Sequence, residues 1–399
     1  MNVKFQRKII LLIVAIYWFS MYIFMPYQTP YLISLGTAAG IVGLVVGAYG
    51  IIQIILRLPV GMMADSRPRH KLIMTIGVAS AAIGSFCRLL MPNVTGFFIG
   101  NLFSGIAASM WSSYLVTYPN FFSKQEQQKA TGHVYAVNNF GILVGFLTAS
   151  FCYDRFGMNL LLLLSVIGGT AGTLLAVIFI REPEVSFTPL PAKKLLTVAK
   201  DKRVLLFAFF TLVQQGMVLA TTMSFTAQVA KDLATAVFQV GLSSAIYMAV
   251  ASLTSTLAGN KFVSRLGPKI LIPAIFFLLV LYCFIVPNAQ SIYVIFAAQA
   301  FAGLSQGLLQ TYCTAEAMRD VPSEKRSTAM GLYQAIYAVG MTVLPMLAGA
   351  IAGAAGLTAS FYALAVFPAA AMLLSIIHYA KEAAHKKAVQ KNIKHTDTL

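Results

Sequence analysis

Apolar runs of about 20 residues, the length a helix needs to cross roughly 30 Å of hydrocarbon, recur along almost the whole chain. They extend from Ile9 to Gly36, Ala38 to Val60, Leu72 to Leu90, Phe97 to Leu115, Val134 to Phe151 and Leu160 to Ile180. After a polar stretch they resume from Val204 to Val229, Val237 to Ala258, Ile270 to Val286, Ile292 to Ala315, Thr328 to Ala352 and Ala359 to Tyr379. The spacing predicts an all-α membrane protein of twelve transmembrane helices, because the runs are continuous and lack the alternating pattern of membrane strands. Only 10% of residues are charged and mean hydropathy is +0.78. An ordinary soluble domain carries roughly 25% charged residues, so this chain cannot hide its surface in water. Lys4, Arg7 and Lys8 lead into an apolar segment too long for a signal-peptide core, so the first helix is expected to stay.

Basic residues fix the expected orientation. Of 29 Lys and Arg, 25 fall in segments on the N-terminal side of the membrane, two (Arg155, Lys231) on the opposite side, and two (Arg57, Arg88) inside helices. The positive-inside rule then places both termini in the cytoplasm of a cell that carries the protein in its cytoplasmic membrane. The net charge of +17 is spread over every loop of that side, which argues against a nucleic-acid surface. Cys87, Cys152, Cys283 and Cys313 lie in or beside apolar helices without CxxC spacing, so packing is their expected role, and no metal or cofactor site is expected.

The chain repeats itself. Shifted by 198 residues it pairs Val42 with Val240, Gly43 with Gly241, Leu44 with Leu242, Tyr49 with Tyr247, Gly61 with Gly259, Ser66 with Ser264, Arg67 with Arg265 and Lys71 with Lys269. The expected organisation is two six-helix bundles, 1–180 and 204–380, joined by a cytoplasmic linker, 181–203, and followed by a basic tail, 381–399. Parallel repeats of this kind are typical of secondary transporters, with the substrate path between the halves.

In the loop after the second run, Gly61-Met62-Met63-Ala64-Asp65-Ser66-Arg67-Pro68-Arg69-His70-Lys71 resembles the G-x-x-x-D-R-x-G-R-K signature of the major facilitator superfamily. It departs from the pattern at Ser66 and Pro68, and a degenerate copy with Arg265, Gly267 and Lys269 lies in the second half. The resemblance implies a twelve-helix transporter, without specifying its substrate, in which the acid at Asp65 holds an inner gate shut. The N-terminal turn of the eleventh helix, near Ser327, is the expected partner, because its free amides attract a carboxylate. The alternative is that these are solvated loop charges that fix topology.

Arg57 sits one turn before Gly61 in an apolar helix. Its charge is therefore either snorkelling to the interface or serving as an anion-attracting or gating group. Arg88 is expected at the interface. None of the twelve acidic residues lies at the middle of a run, so if protons drive transport, Glu316, His133 or Asp65 must carry them. Gly141 and Gly145 have the spacing of close helix packing.

The resemblance implies that helices 1, 4, 7 and 10 line the cavity. They supply Tyr17, Tyr27 and Gln28; Trp111 and Tyr114; Gln214 and Gln215; and Gln306 and Gln310, to which Asn138, Tyr333, Gln334 and Tyr337 add. Neutral donors and aromatic walls suit an amphipathic organic solute, and an exporter is the leading expectation. An importer of a sugar, organic anion or peptide-like metabolite is its rival. A membrane enzyme or receptor is the third, though no HExxH, GxSxG or phosphate loop appears. The protein is expected to act as a monomer.

Overall fold

The computed structural model describes residues 3–66, 70–123, 126–181, 191–234, 236–257 and 261–396. Eleven helices among them are long and apolar enough to cross a membrane. Helix 1 is Val3–Ser34, helix 2 Ala39–Asp65, helix 3 His70–Leu90 and helix 4 Val94–Phe121. The next, Ala130–Phe179, breaks at Gly157 into helix 5 (130–156) and helix 6 (158–179). Helix 7 is Lys202–Leu233, helix 8 Phe238–Leu257, helix 9 Gly267–Asn288, helix 10 Ile292–Met318, helix 11 Arg326–Ala355 and helix 12 Leu357–Ala384. With that break counted, twelve helices long and apolar enough to cross a membrane, and no strand, occur among the described residues.

Gly157 has φ 68° and ψ −168°, a conformation that essentially only glycine adopts, so the turn between helices 5 and 6 needs no loop. Gly356, with φ 87°, makes the same turn between helices 11 and 12, and the two sites lie at matching places in the repeat. Several helices outrun their apolar cores. Helix 5 starts before Val134 and the last helix continues as far as Thr396, because a helix can extend into the wet interface where its polar residues remain solvated.

The end of the bundle that holds the N-terminus is called the terminal face here, and the other the far face. Helix 2 runs along helix 11, helix 5 along helix 8, and helix 1 along helix 5. Small residues permit the first contact: a Cβ on Gly47 would sit 2.7 Å from the Thr342 carbonyl oxygen, and one on Gly61 2.6 Å from that of Ser327. Gly141 and Gly145 of helix 5 meet the backbone of helix 1 at Ala15 and Ile23. Large apolar side chains such as Phe140, Phe151, Ile167 and Val366 point outward, as expected for a lipid-facing surface.

Candidate functional site

Helices 1, 4, 7 and 10, the four expected to line a cavity, each depart from regular α geometry part-way along, as helix 12 also does at Ala365. Helix 1 is interrupted between Tyr22 and Met25, where Pro26 starts a new segment. Helix 4 breaks at Met110 and Trp111. Helix 7 widens into π turns over Val218–Phe225, and helix 10 does so over Ser305–Leu309. Each interruption removes regular backbone hydrogen bonds, which is tolerated at membrane depth only where protein or a polar space surrounds the segment.

Around the breaks in helices 1 and 4 the aromatic residues gather. Tyr17 stacks on Tyr114 at 5.9 Å, Trp111 on Tyr114 at 5.8 Å, and Trp18 meets Trp111 edge-on at 5.0 Å. Tyr135 of helix 5 closes against Trp111 at 6.2 Å. The Tyr17 hydroxyl, the Trp18 indole N–H and the Asn138 amide are buried without hydrogen-bond partners. In the second half, Gln214 donates to Gln306 at 2.6 Å, and Tyr333 is bonded to Thr211 at 2.5 Å and accepts from Thr314 at 3.2 Å. Gln310 is half-buried with its Oε1 unpartnered, and Gln215 is half-buried beside Gln214.

Arg57 is 5% exposed, so it does not snorkel. Its Nε donates to Gln53 Oε1 at 2.8 Å, Nη2 bonds the same oxygen, and Nη1 bonds Gln334 Oε1 on helix 11. The guanidinium also lies 5.1 Å from the Tyr337 ring, and Tyr17, Tyr49 and Tyr135 are within its electrostatic reach. It therefore ties the two halves together through neutral groups.

Two turns further on, Asp65 is 8% exposed and accepts from the Thr328 backbone N–H at 2.6 Å and the Thr328 hydroxyl at 2.7 Å. Thr328 is in the first turn of helix 11, so the carboxylate faces the positive end of that helix. Gly61 allows this approach, and Gly331 opposite it would place a Cβ 2.5 Å from the Arg57 carbonyl oxygen. Lys71 is half-buried and Lys269 exposed, while Arg69 and the Arg265 side chain lie outside the described residues. Gly267, with φ 68°, lets the chain turn into helix 9.

Two residues, Arg88 and Tyr27, sit elsewhere than the sequence suggests. Arg88 is fully buried, not interfacial: Nη2 donates to Asn101 at 2.6 Å and Ser104 at 2.8 Å, and the group lies 4.2 Å from the Phe24 ring. Glycines at 84 and 100 make the room that hydropathy could not reveal. Glu316, near the end of helix 10 as expected, is bridged to Arg203 and Arg319, so it joins the start of helix 7 to the end of helix 10. Tyr27 lies at the far face, where its hydroxyl donates to the Val237 carbonyl at 3.0 Å and accepts from the Gly241 N–H at 3.2 Å. Gln28 is buried with Oε1 unpartnered and lines a small cleft with Asn101 and Ser104, and His133 is exposed.

Two further bonds join the halves at the far face. Thr29 meets Ser224 at 2.8 Å, and Ser150 donates to the Phe238 carbonyl at 2.6 Å. Sequence reasoning missed Gln53, Trp18, Thr328, Arg203 and Ser150. Gln53 carried a signal, lying one helical turn before Arg57, and Thr328 lies in the helix 11 turn already expected to face Asp65.

Comparison with known proteins gives the same picture. The family model described as Major Facilitator Superfamily matches residues 10–229 and again residues 209–397. The "Multi-drug resistance efflux pump PmrA" of Streptococcus pneumoniae is 24% identical over 334 residues, 80% of this chain and 81% of the pump. The "Inner membrane transport protein YajR" of Escherichia coli is 23% identical over 159 residues, 40% of this chain and 35% of YajR. Two solved structures are similar in fold, each over 94% of this chain and 96% of the other. A POT family transporter in complex with a thioalcohol-conjugated peptide gives a TM-score of 0.79 at 13% identity. A bacterial homologue of the human lysosomal transporter Spinster, inward-facing and occupied, gives 0.72 at 15%.

Proposed function

The chain belongs to the major facilitator superfamily of membrane transporters, and from that membership we propose that it exports an amphipathic organic solute across the cytoplasmic membrane by alternating access. One observation carries the reading: the halves are tied at both faces by separable hydrogen bonds around an aromatic box in which the Tyr17 hydroxyl and the Trp18 indole N–H lack partners. Arg57–Gln334 and Asp65–Thr328 close the terminal face, and Tyr27, Thr29 and Ser150 close the far face. An occluded arrangement of this kind opens one way or the other by exchanging which set of ties is broken.

In this reading the bundles 1–180 and 204–380 rock about the box, the linker 181–203 and both termini lie in the cytoplasm, and the terminal face is the inner gate. Tyr17, Trp111, Tyr114, Asn138, Gln214, Gln306, Gln310, Tyr333 and Tyr337 form the walls that meet the solute. Export is favoured over import by the PmrA likeness, since that relative is an efflux pump.

Everted membrane vesicles test direction and solute together. Energised everted vesicles are expected to accumulate a fluorescent amphipathic dye, and right-side-out vesicles are not. Accumulation only in right-side-out vesicles would replace export by import.

A further inference from the structure

Among the described residues Arg57 is the one charge set among the aromatic walls, and no ion pair there balances it. Its partners are the neutral amides of Gln53 and Gln334 and the face of Tyr337. Among the described residues no carboxylate pairs with it, since the ion pairs present there join Glu316 and Asp320 to arginines. A buried cation with only neutral partners is costly, and it stays favourable to any anion that reaches it. The adjoining aromatic box holds buried donors without partners, alongside the unpartnered Oε1 acceptors of Gln214 and Gln310 on helices 7 and 10. The indole N–H of Trp18 and the amide N–H of Asn138 can only donate, and the Tyr17 hydroxyl is free to do so.

We propose that the solute carries an anionic group, a carboxylate or a phosphate, that binds Arg57 in place of Gln334, so that recognition itself unties helix 2 from helix 11. This rests on the transporter reading and adds the substrate class to it. The guanidinium has a planar fork suited to a carboxylate or phosphate, and an amide oxygen is the weaker competitor for it. Gln334 lies on the same helix as Thr328, so among the described residues loss of the Arg57–Gln334 bond leaves the Asp65–Thr328 pair as the polar tie of that stretch. A solute bearing a positive group meets the guanidinium with no compensating carboxylate, and so is discriminated against at the same atom.

The chain offers a direct readout, because its two tryptophans, Trp18 and Trp111, both lie in the box. Intrinsic fluorescence of the full-length protein in lipid nanodiscs therefore reports a quencher bound there. Three probes share one skeleton: a brominated arylalkyl carboxylate, its methyl ester and the matching primary amine. The carboxylate is expected to quench saturably at a concentration at least tenfold below that of the ester and the amine. Arg57→Gln should erase that preference, Arg57→Lys should keep the preference with weaker binding, and Gln334→Ala should tighten carboxylate binding by releasing the guanidinium. Equal binding of all three probes to the wild type overturns the proposal, as does an unchanged preference in Arg57→Gln. Because the probe series on the wild type needs no variant, misfolding of Arg57→Gln leaves the test intact. Flux of the same probes in proteoliposomes separates the two readings. Charge-independent transport removes the anion assignment and keeps the transporter, whereas Arg57-dependent binding without any flux keeps the anion site and removes the transport reading. No quenching by any probe overturns the anion site outright.

Discussion

Asp65 and Arg88 are both buried charges, yet the protein treats them differently. The Asp65 carboxylate has two donors on one residue, the N–H and hydroxyl of Thr328, and it faces a helix N-terminus. A hydrogen bond to a charged group contributes about 1.5–3 kcal/mol, and the helix dipole adds about 0.3–1 kcal/mol. Asp65→Asn keeps one carbonyl acceptor but loses the charge, so transport by reconstituted protein is expected to fall on the order of tenfold, the equivalent of about 1.4 kcal/mol in the closed state. Thr328→Val, which keeps the backbone donor, should cost less. Matched initial rates with unchanged melting temperatures would remove both groups from the gate. At Arg88 the charge has Asn101, Ser104 and an aromatic face, but its Nε and Nη1 lack partners. An apolar side chain of similar volume can be neutral at such a site, while removing a partner strands a buried cation. Asn101→Leu, which also loses the bond to the Val45 carbonyl, is therefore expected to lower the melting temperature in detergent more than Arg88→Met does. The reverse order would show that the charge itself stabilises the fold.

At the scale of elements, helices could be read from the sequence because hydrocarbon demands one long apolar run per crossing, and each run survives as a helix. What escaped was geometry that hydropathy does not encode. The break at Gly157 depends on a single left-handed dihedral, and the π turns at Val218–Phe225 and Ser305–Leu309 leave no compositional trace. The placement of Asp65 against helix 11 was legible because a helix N-terminus and a carboxylate attract by simple electrostatics. The burial of Arg88 was not, since it depends on glycines that come together only in three dimensions. Helix 2 and helix 11 show what such glycines do. A Cβ at Gly331 would meet the Arg57 carbonyl at 2.5 Å, and a backbone atom cannot swing aside. Gly331→Ala should therefore force the helices apart, at about 1–3 kcal/mol for overpacking of this kind. A cysteine introduced at the buried Ser327 is expected to react with a membrane-impermeant maleimide in Gly331→Ala and to stay protected when Gly331 is kept. Equal labelling would mean that the contact tolerates the methyl group.

For the whole molecule, the decisive question is whether the two closed faces alternate. The ties at the far face are hydrogen bonds among Tyr27, Thr29, Ser150 and their partners across the halves, each replaceable by water once the faces separate. Thr29 on helix 1 and Ser224 in the π segment of helix 7 place their oxygens 2.8 Å apart, close enough that a cysteine at each position is set for oxidation to a disulfide. Such a bond would hold the far face shut and leave the Asp65 and Arg57 ties free to open. In a background with Cys87, Cys152, Cys283 and Cys313 replaced, the Thr29→Cys/Ser224→Cys protein is expected to lose transport on oxidation and to regain it on reduction. Each single cysteine should stay active under both conditions. Binding in the box, read by Trp18 and Trp111, should survive the cross-link, because access from the terminal face remains. Full transport by the oxidised protein would show that the far face need not open, and that the halves do not move as alternating access requires.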